Sequence, residues 1–247
     1  MPIIVAVAHQ KGGVGKSTLA ANLAAYYTVN GSKSAVVDAD IQGSLTNLVE
    51  TYGENNIYGS INLVPRNEYD RFEDLKARDE DILFIDTPPY LSTDLDEIFL
   101  VSDYVLVPTK ISPLDMLAIE ATLELLSNVL KVKPSLVVGI VINLVNQSEG
   151  FLEKIKDYLK ERGRGIQVHD TVVIKRTEFQ RSFLTGSIFE TKDKKAQKEI
   201  ATLAEEIITN LEKVRDIASD GDVVDAVSEG EQENQEVQSS QETSFVS

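Results

Sequence analysis

Ten residues near the start of the chain carry its densest chemistry: His9-Gln10-Lys11-Gly12-Gly13-Val14-Gly15-Lys16-Ser17-Thr18. The glycines let the backbone curl until successive N–H groups converge on one point without Cβ clashes, and such a ring of amides binds an anion. Lys16 would reach the β- and γ-phosphates of a nucleotide, and the Ser17 hydroxyl would hold Mg²⁺ beside them. Gly12, Gly13, Val14, Gly15, Lys16, Ser17 and Thr18 are therefore the candidate phosphate ligands. The general spacing G-x-x-x-x-G-K-[ST] is not fully met, because Gln10 stands at its first glycine. A second lysine, Lys11, opens the loop instead. A glycine-rich turn that bound nothing would need neither lysine nor Ser17.

Two later clusters supply carboxylates. Val36-Val37-Asp38-Ala39-Asp40 runs on into Ile41-Gln42-Gly43, and Ile82-Leu83-Phe84-Ile85 ends at Asp86-Thr87-Pro88-Pro89. A carboxylate at Asp86 would hold Mg²⁺ through water, since that ion keeps much of its hydration shell. Asp40 lies just past its strand, where it could orient an attacking water. Asp38 would fix the loop or reach the metal's outer shell. Taken singly, strand-end aspartates are mostly caps and turn formers. Behind a phosphate loop, in this order, they form a constellation.

Elements must hold these residues together. The apolar run Ile3–Ala8 leads into the loop as a strand, and Ser17 to Asn30 leaves it as a helix that stops at Gly31. Further strands are expected at Ser34–Asp38, Ile82–Ile85, Tyr104–Pro108 and Leu136–Leu144, with a short one around 166–169. Helices are expected over 44–51, Glu68–Ala77, 94–101, about 114–130, from Phe151 past Leu159, near 176–184, and through Ile200, Leu203, Ile207 and Leu211. Residues 52–67 read as loop. The 114–130 helix is apolar on most faces and so is expected to be largely buried. Strands alternating with helices, several strands as continuous Val/Ile runs, predict an α/β fold: one mostly parallel twisted sheet with helices on both faces. Such sheets bind ligands at the carboxyl ends of their strands. One domain is expected over 1–217. Residues 218–247, rich in Glu, Gln, Ser and Asp, cannot bury enough apolar area to order themselves and are expected to be a disordered acidic tail.

Composition narrows the function. The chain has 247 residues, 42% of them hydrophobic, and no cysteine. That excludes a thiolate metal site, a disulfide framework and a cysteine nucleophile, and is compatible with the cytoplasm. No secretory signal is visible, and no run approaches the roughly 18 apolar residues of a membrane span. The net charge of −16 argues against nucleic acid until its distribution is considered. Residues 131–198 hold 14 basic and 8 acidic side chains, a local +6. Salt screens charges beyond roughly 8 Å, so a duplex responds to the patch rather than to the total. Lys175, Arg176 and Arg181 fall on one expected helix, and Lys192, Lys194, Lys195 and Lys198 cluster before the last. They are the candidate DNA-binding residues, set against the ordinary reading of a charge run as a solvated face.

Lys11-Gly-Gly-Val-Gly-Lys-Ser-Thr18, Asp38-Ala-Asp-Ile-Gln-Gly43 and Asp86-Thr-Pro-Pro89 together resemble the deviant Walker motifs of the ParA/MinD group of ATPases. Ser112-Pro-Leu-Asp115, the strand ending in Asn143, and Ser187-Ile-Phe-Glu190 before a terminal helix resemble its short, ParF-like partition members. The resemblance spans roughly residues 1–215. It departs at Ile41, where the family usually has proline, and the acidic tail is not a family feature. It implies an ATPase using ATP and Mg²⁺, with Lys11, Lys16 and Asp40 as catalytic residues. Lys11 would cross to the ATP phosphates of a second copy in a sandwich dimer, and Asp40 would position the water. Asn143 and residues near Val168–Thr171 would lie by the adenine, unless Asn143 simply caps its loop.

The resemblance further implies a cytoplasmic, nucleoid-associated protein whose ATP-bound dimer binds double-stranded DNA non-specifically. A ParB-like centromere-binding partner would stimulate hydrolysis, and plasmid or chromosomal DNA would be segregated. The phosphate loop begins close to Met1, so the short type without a helix-turn-helix domain is expected. A MinD-like membrane ATPase is the alternative, disfavoured because the chain ends in Glu, Gln and Ser rather than a basic amphipathic helix. A scaffold that positions cargo other than DNA would share all these residues. For the acidic tail, solubility is preferred over competition with DNA for the basic segment.

Overall fold

The computed structural model describes residues 1–40, 43–52, 62–89, 94–146, 151–163 and 166–219. Along neighbouring strands Val5, Val7, Val36, Phe84 and Leu106 alternate with Ile4, Ala6, Val37, Ile85 and Val107, and both sets are buried. Successive strand residues point to opposite faces, so burial of both sets demands cover on both sides.

Among the described residues seven strands form one parallel sheet: β1 (Ile3–Val7), β2 (Ser34–Asp38), β3 (Asn62–Val64), β4 (Ile82–Asp86), β5 (Tyr104–Thr109), β6 (Val137–Val145) and β7 (Gln167–Ile174). Their order is β3-β2-β4-β1-β5-β6-β7, which puts β1 in the middle. The helices are α1 (Lys16–Val29), α2 (Ser44–Tyr52), α3 (Asp94–Val101), α4 (Pro113–Val132), α5 (Leu152–Arg162), α6 (Thr177–Thr185) and α7 (Lys194–Ser219). α1, α6 and α7 cover one face through Leu19, Leu23, Phe179, Ile200, Leu203 and Ile207. α3, α4 and α5 cover the other through Ile98, Phe99, Ile119, Leu126 and Leu159.

Strand register then assembles the site. Val7 is level with Asp86, and Asp86 is level with Asp38. The loop after β1 and the two aspartate clusters thus emerge side by side at the carboxyl end of the sheet.

Four expectations are revised. Glu68–Ala77 is not one helix but two short 3₁₀ segments, Arg66–Glu68 and Phe72–Ala77. Within the stretch read as loop, Asn62–Val64 forms the edge strand β3, while 53–61 lie outside the described residues. β7 is eight residues long, not four. It reads short because His169 and Thr171 are polar yet point inward. His169 Nε2 meets the Tyr104 hydroxyl at 2.8 Å and its Nδ1 meets Glu206 Oε2 at 2.7 Å, while Thr171 Oγ1 donates to Glu206 Oε1 at 2.7 Å. Finally, α4 is not buried all round: Leu114 and Leu117 are 70% and 65% exposed. The last helix runs to Ser219, two residues into the expected tail of 218–247, and 220–247 lie outside the described residues.

Candidate nucleotide-binding site

The loop leaves β1 at Ala8 and enters α1 at Lys16. Gly13 and Gly15 hold φ of 71° and 94°, in the left-handed region that costs any other L-residue energy. A Cβ on Gly15 would also fall 2.3 Å from Nδ2 of Asn143. That amide is the loop's brace: Asn143 Nδ2 donates to the Val14 carbonyl at 2.7 Å, and Asn143 Oδ1 accepts from the Leu144 N–H at 2.9 Å. With both ends engaged and its side chain buried, Asn143 caps its loop and holds Val14. This geometry gives no support to an adenine contact. Residues 168–171 are likewise misplaced for one. Asn143 pairs with Val173 and Ile140 with Val168, so 168–171 lie down the strand from the ligand end, and His169 turns to Tyr104 at the start of β5.

α1 begins with no side-chain cap and no acidic residue in its first turn. Its free N–H groups and positive dipole end face the loop, which suits a phosphate. Lys16 is 7% exposed and its Nζ lies 3.5 Å from the Lys11 carbonyl. Burial lowers its pKa, while Asp86 and Asp40 act to keep it charged.

The metal candidates can be tested on the same geometry. Asp86 is 2% exposed and hydrogen-bonds the Ser17 side chain, yet its Oδ1 is buried with no partner. Desolvation pushes its pKa up to about 7; the Ser17 bond and Lys16 oppose the rise, and the Asp38 and Asp40 charges add to it. An orphaned carboxylate oxygen among carboxylates is a place for a cation, so Ser17 and Asp86 fit Mg²⁺. Among the described residues no group of three His, Asp or Glu could hold a metal by itself. The remaining ligands would be nucleotide and water oxygens.

Asp38 is spent on its own loop. Its Oδ2 accepts from the Thr46 N–H at 2.9 Å and the Thr46 hydroxyl at 2.8 Å, anchoring the first turn of α2, and its Oδ1 accepts from the Asp40 N–H at 3.2 Å. Of the two roles weighed for it, the structure displays loop fixing. Asp40 is half-buried, close enough to influence both Lys16 and Asp86. Lys11 does not point into the loop: its Nζ is 2.5 Å from Oδ1 of Asp115 on α4.

Three residues gain roles that motif reading did not assign. His9 Nδ1 accepts the Lys11 N–H at 2.9 Å and so shapes the loop's entry. Burial, then Lys16, lowers its pKa to about 4, which keeps it neutral. Asn22 joins α1 to the segment before α7, donating to the Thr18 carbonyl at 2.8 Å and accepting from the Ile188 N–H at 2.7 Å. Asp115 holds Lys11. Only Asp115 had a legible signal, the S-x-x-D capping pattern of Ser112 to Asp115.

The basic segment divides. Lys175, Arg181, Lys192, Lys194, Lys195 and Lys198 are exposed. Arg176 is not available: its side chain is 11% exposed, with Nη1 and Nη2 on Glu199 at 2.5 and 2.6 Å and Nε on Asp193 at 3.2 Å. Asp193 in turn accepts from the Lys195 and Ala196 N–H groups and caps α7. Arg176 therefore pins the end of β7 to α7 and is withdrawn from the DNA-binding set. Arg176→Ala is expected to lower unfolding free energy by about 3 kcal/mol, because it leaves two carboxylates without their counter-charge. Urea denaturation checks this; a loss below about 0.5 kcal/mol would mark a surface charge instead.

A parallel α/β sheet with a lysine-bearing glycine loop, a buried strand-end aspartate and a free helix N-terminus defines a P-loop nucleotide-binding protein. The comparisons with known proteins agree. The CobQ/CobB/MinD/ParA nucleotide binding domain matches residues 5–189, and the chain belongs to that family. The maintenance of carboxysome distribution protein A of Halothiobacillus neapolitanus is 28% identical over 210 residues, covering 83% of this chain and 95% of its own. The chromosome-partitioning ATPase Soj of Thermus thermophilus is 27% identical over 189 residues, 63% of this chain and 75% of its own. A plasmid partition protein of Borrelia burgdorferi B31, solved with AMPPNP, shares the fold with a TM-score of 0.63 at 21% identity, over 85% of this chain and 99% of its own.

Proposed function

We propose that this chain is an Mg²⁺-dependent ATPase whose ATP-bound form pairs with a second copy and holds DNA non-specifically, so that a cargo can be segregated or spaced along it. The observation that carries this reading is Lys11. Its ammonium is held by Asp115 of α4 rather than turned into its own loop, and the same helix exposes Leu114 and Leu117. A lysine needed only by its own subunit's nucleotide would point inward, and large exposed leucines on the helix that holds it suit a surface that a second copy covers.

In this reading Lys16 and the amides of Gly12 to Thr18 bind the phosphates, and Asn143 keeps that cradle in shape. Mg²⁺ on Ser17 and, through water, Asp86 would neutralise charge on the phosphate oxygens. Asp40 orients the water, accepting a hydrogen bond from it in line with the phosphate. Asn22 offers a direct route from α1 to the Ile188–Glu190 turn and the lysines of α7. Nucleotide state and DNA affinity would be linked along it.

For the cargo, the chromosome-partitioning relative Soj favours DNA, a chromosome or plasmid, and a ParB-like partner would then stimulate hydrolysis. The carboxysome-distribution relative, covered over 95% of its length, favours a protein body instead. Either cargo would be moved by the same nucleotide switch. Among the described residues no helix is long and apolar enough to cross a membrane.

Lys175, Arg181, Lys192, Lys194, Lys195 and Lys198 would be the DNA contacts. With ATP, raising salt from about 50 to 200 mM should weaken binding to random duplex by about three orders of magnitude, as for six phosphate contacts. Charge reversal of all six to Glu should abolish binding while leaving nucleotide affinity intact. Unchanged DNA affinity in that variant would remove this face from the account.

A further inference from the structure

Ser112-Pro-Leu-Asp115 opens α4, and what its hold on Lys11 does for the nucleotide switch is not explained by the roles above. Its simplest role is local. Ser112 is the N-cap, and its Oγ accepts from the Asp115 N–H at 3.3 Å. Capping alone, however, would aim the Asp115 carboxylate back at the Ser112 backbone N–H. The carboxylate goes elsewhere: Oδ2 takes the Ser112 hydroxyl at 2.5 Å, and Oδ1 takes Lys11 Nζ at 2.5 Å. The two partners are unequal. The Asp115 side chain is 3% exposed and that of Lys11 is 36% exposed. The aspartate is fixed in the structure, whereas the lysine has one flank in solvent and four methylene torsions to swing on. Its backbone is not free, because His9 holds the Lys11 N–H. Only the ammonium can change partner.

We infer that Asp115 is a positioning residue that parks Lys11 in its own subunit and sets how much attraction a second copy's nucleotide must exert to draw it across. The inference rests on the cross-subunit role of Lys11 proposed above. Two acceptors compete for one ammonium, the carboxylate in cis and the phosphates in trans. When Lys11 leaves, Asp115 keeps the Ser112 bond, the more distant Lys110 charge and the positive end of α4 to offset a buried charge. A triphosphate presents enough negative charge at the γ position to win that competition; a diphosphate lacks the γ group, and Lys11 stays with Asp115. Asp115 therefore sharpens the discrimination between ATP and ADP. Burial pushes its carboxyl up, but the Lys11 and Ser112 bonds outweigh burial and hold it below the usual carboxylate range. The carboxylate is thus ionised at neutral pH.

The test is the dimer dissociation constant of the full chain, measured by light scattering with a non-hydrolysable ATP analogue and with ADP. Asp115→Asn should dimerise about tenfold more tightly than wild type with the analogue, and should show dimer with ADP where wild type shows none. Asp115→Glu, which keeps the charge, should stay close to wild type. Ser112→Ala should lose stability through the cap but keep the wild-type dissociation constant, which separates capping from parking. Asp115→Ser is scored like the amide variant and covers the case in which the latter does not fold. If wild type dimerises and neither neutral variant does so more tightly, the parking role is wrong while the dimer stands. If wild type stays monomeric with the analogue at any concentration, the sandwich reading itself fails and the parking role falls with it.

Discussion

Gly15→Ala should lose at least about 100-fold in ATP affinity and about 3 kcal/mol in stability. Two costs coincide at this residue. The backbone sits at φ 94°, where a Cβ adds roughly 1–2 kcal/mol of strain. That Cβ would also fall 2.3 Å from Asn143 Nδ2. Asn143 must then move, giving up its bond to the Val14 carbonyl in a buried place where an unmet amide costs roughly 1–3 kcal/mol. Val14 is fully buried and anchors the loop, so its release spreads the amides that converge on the phosphates. A ligand stabilises its protein in proportion to the logarithm of its concentration over Kd, and the ATP-induced rise in Tm should vanish in the variant. Asn143→Ala added to Gly15→Ala should recover stability by removing the collision, without restoring binding. A Gly15→Ala protein that kept the wild-type Tm shift would show that the nucleotide binds elsewhere.

Asp86→Asn should lose Mg²⁺-dependent nucleotide binding and yet, without ligand, be more stable than the native chain above pH 7. The folded-state pKa of about 7 exceeds the ordinary 3.8, so the folded protein holds a proton that the unfolded chain has released. Its contribution to stability is complete below pH 3.8 and is lost as pH rises to 7, on the order of 4 kcal/mol in all. The amide carries no charge to desolvate. Because Lys16 loses a counter-charge in the variant, the net gain above pH 7 should be nearer about 2 kcal/mol. His9 has the opposite sign. Its pKa of about 4 lies below the ordinary 6.5, so its contribution is complete above 6.5 and lost as pH falls towards 4. Between pH 4 and 6.5 the two slopes oppose each other in the native chain. Asp86→Asn should expose the His9 slope, with stability rising by about 3 kcal/mol over that window and flat above it. Urea denaturation from pH 4.5 to 8 in chelator tests this; identical profiles for the two proteins would mean that Asp86 is not held protonated.

Much of the site was legible because its chemistry is local in sequence. Gly12 to Thr18 are contiguous, and Asp38 and Asp86 each end an apolar run, so a strand-end rule places them together before any contact is known. The parallel α/β class followed from the same runs. What escaped depends on partners far along the chain. Lys11 and Asp115 are 104 residues apart, Asn143 and Val14 129, and Asn22 and Ile188 166. No spacing rule reaches that far. Arg176 reads as a DNA contact because charge runs are read without their partners, and Glu199 and Asp193 are brought to it only by folding. β7 reads too short for the same reason, its inward His169 and Thr171 being satisfied by Glu206 on α7. The exposure of Leu114 and Leu117 contradicts the burial that their apolarity predicts. Such an exception is informative, because it marks a face that another surface has reason to cover.

The central claim is that nucleotide state controls DNA affinity, and one titration addresses it directly. Fluorescence anisotropy of a labelled random-sequence duplex at about 50 mM salt would be followed with Mg²⁺ and ATP, with Mg²⁺ and ADP, and without nucleotide. Binding should be at least about tenfold tighter with ATP than in either other state. Equal affinity in all three would contradict the account, and no binding in any would leave a nucleotide switch that acts on something other than DNA.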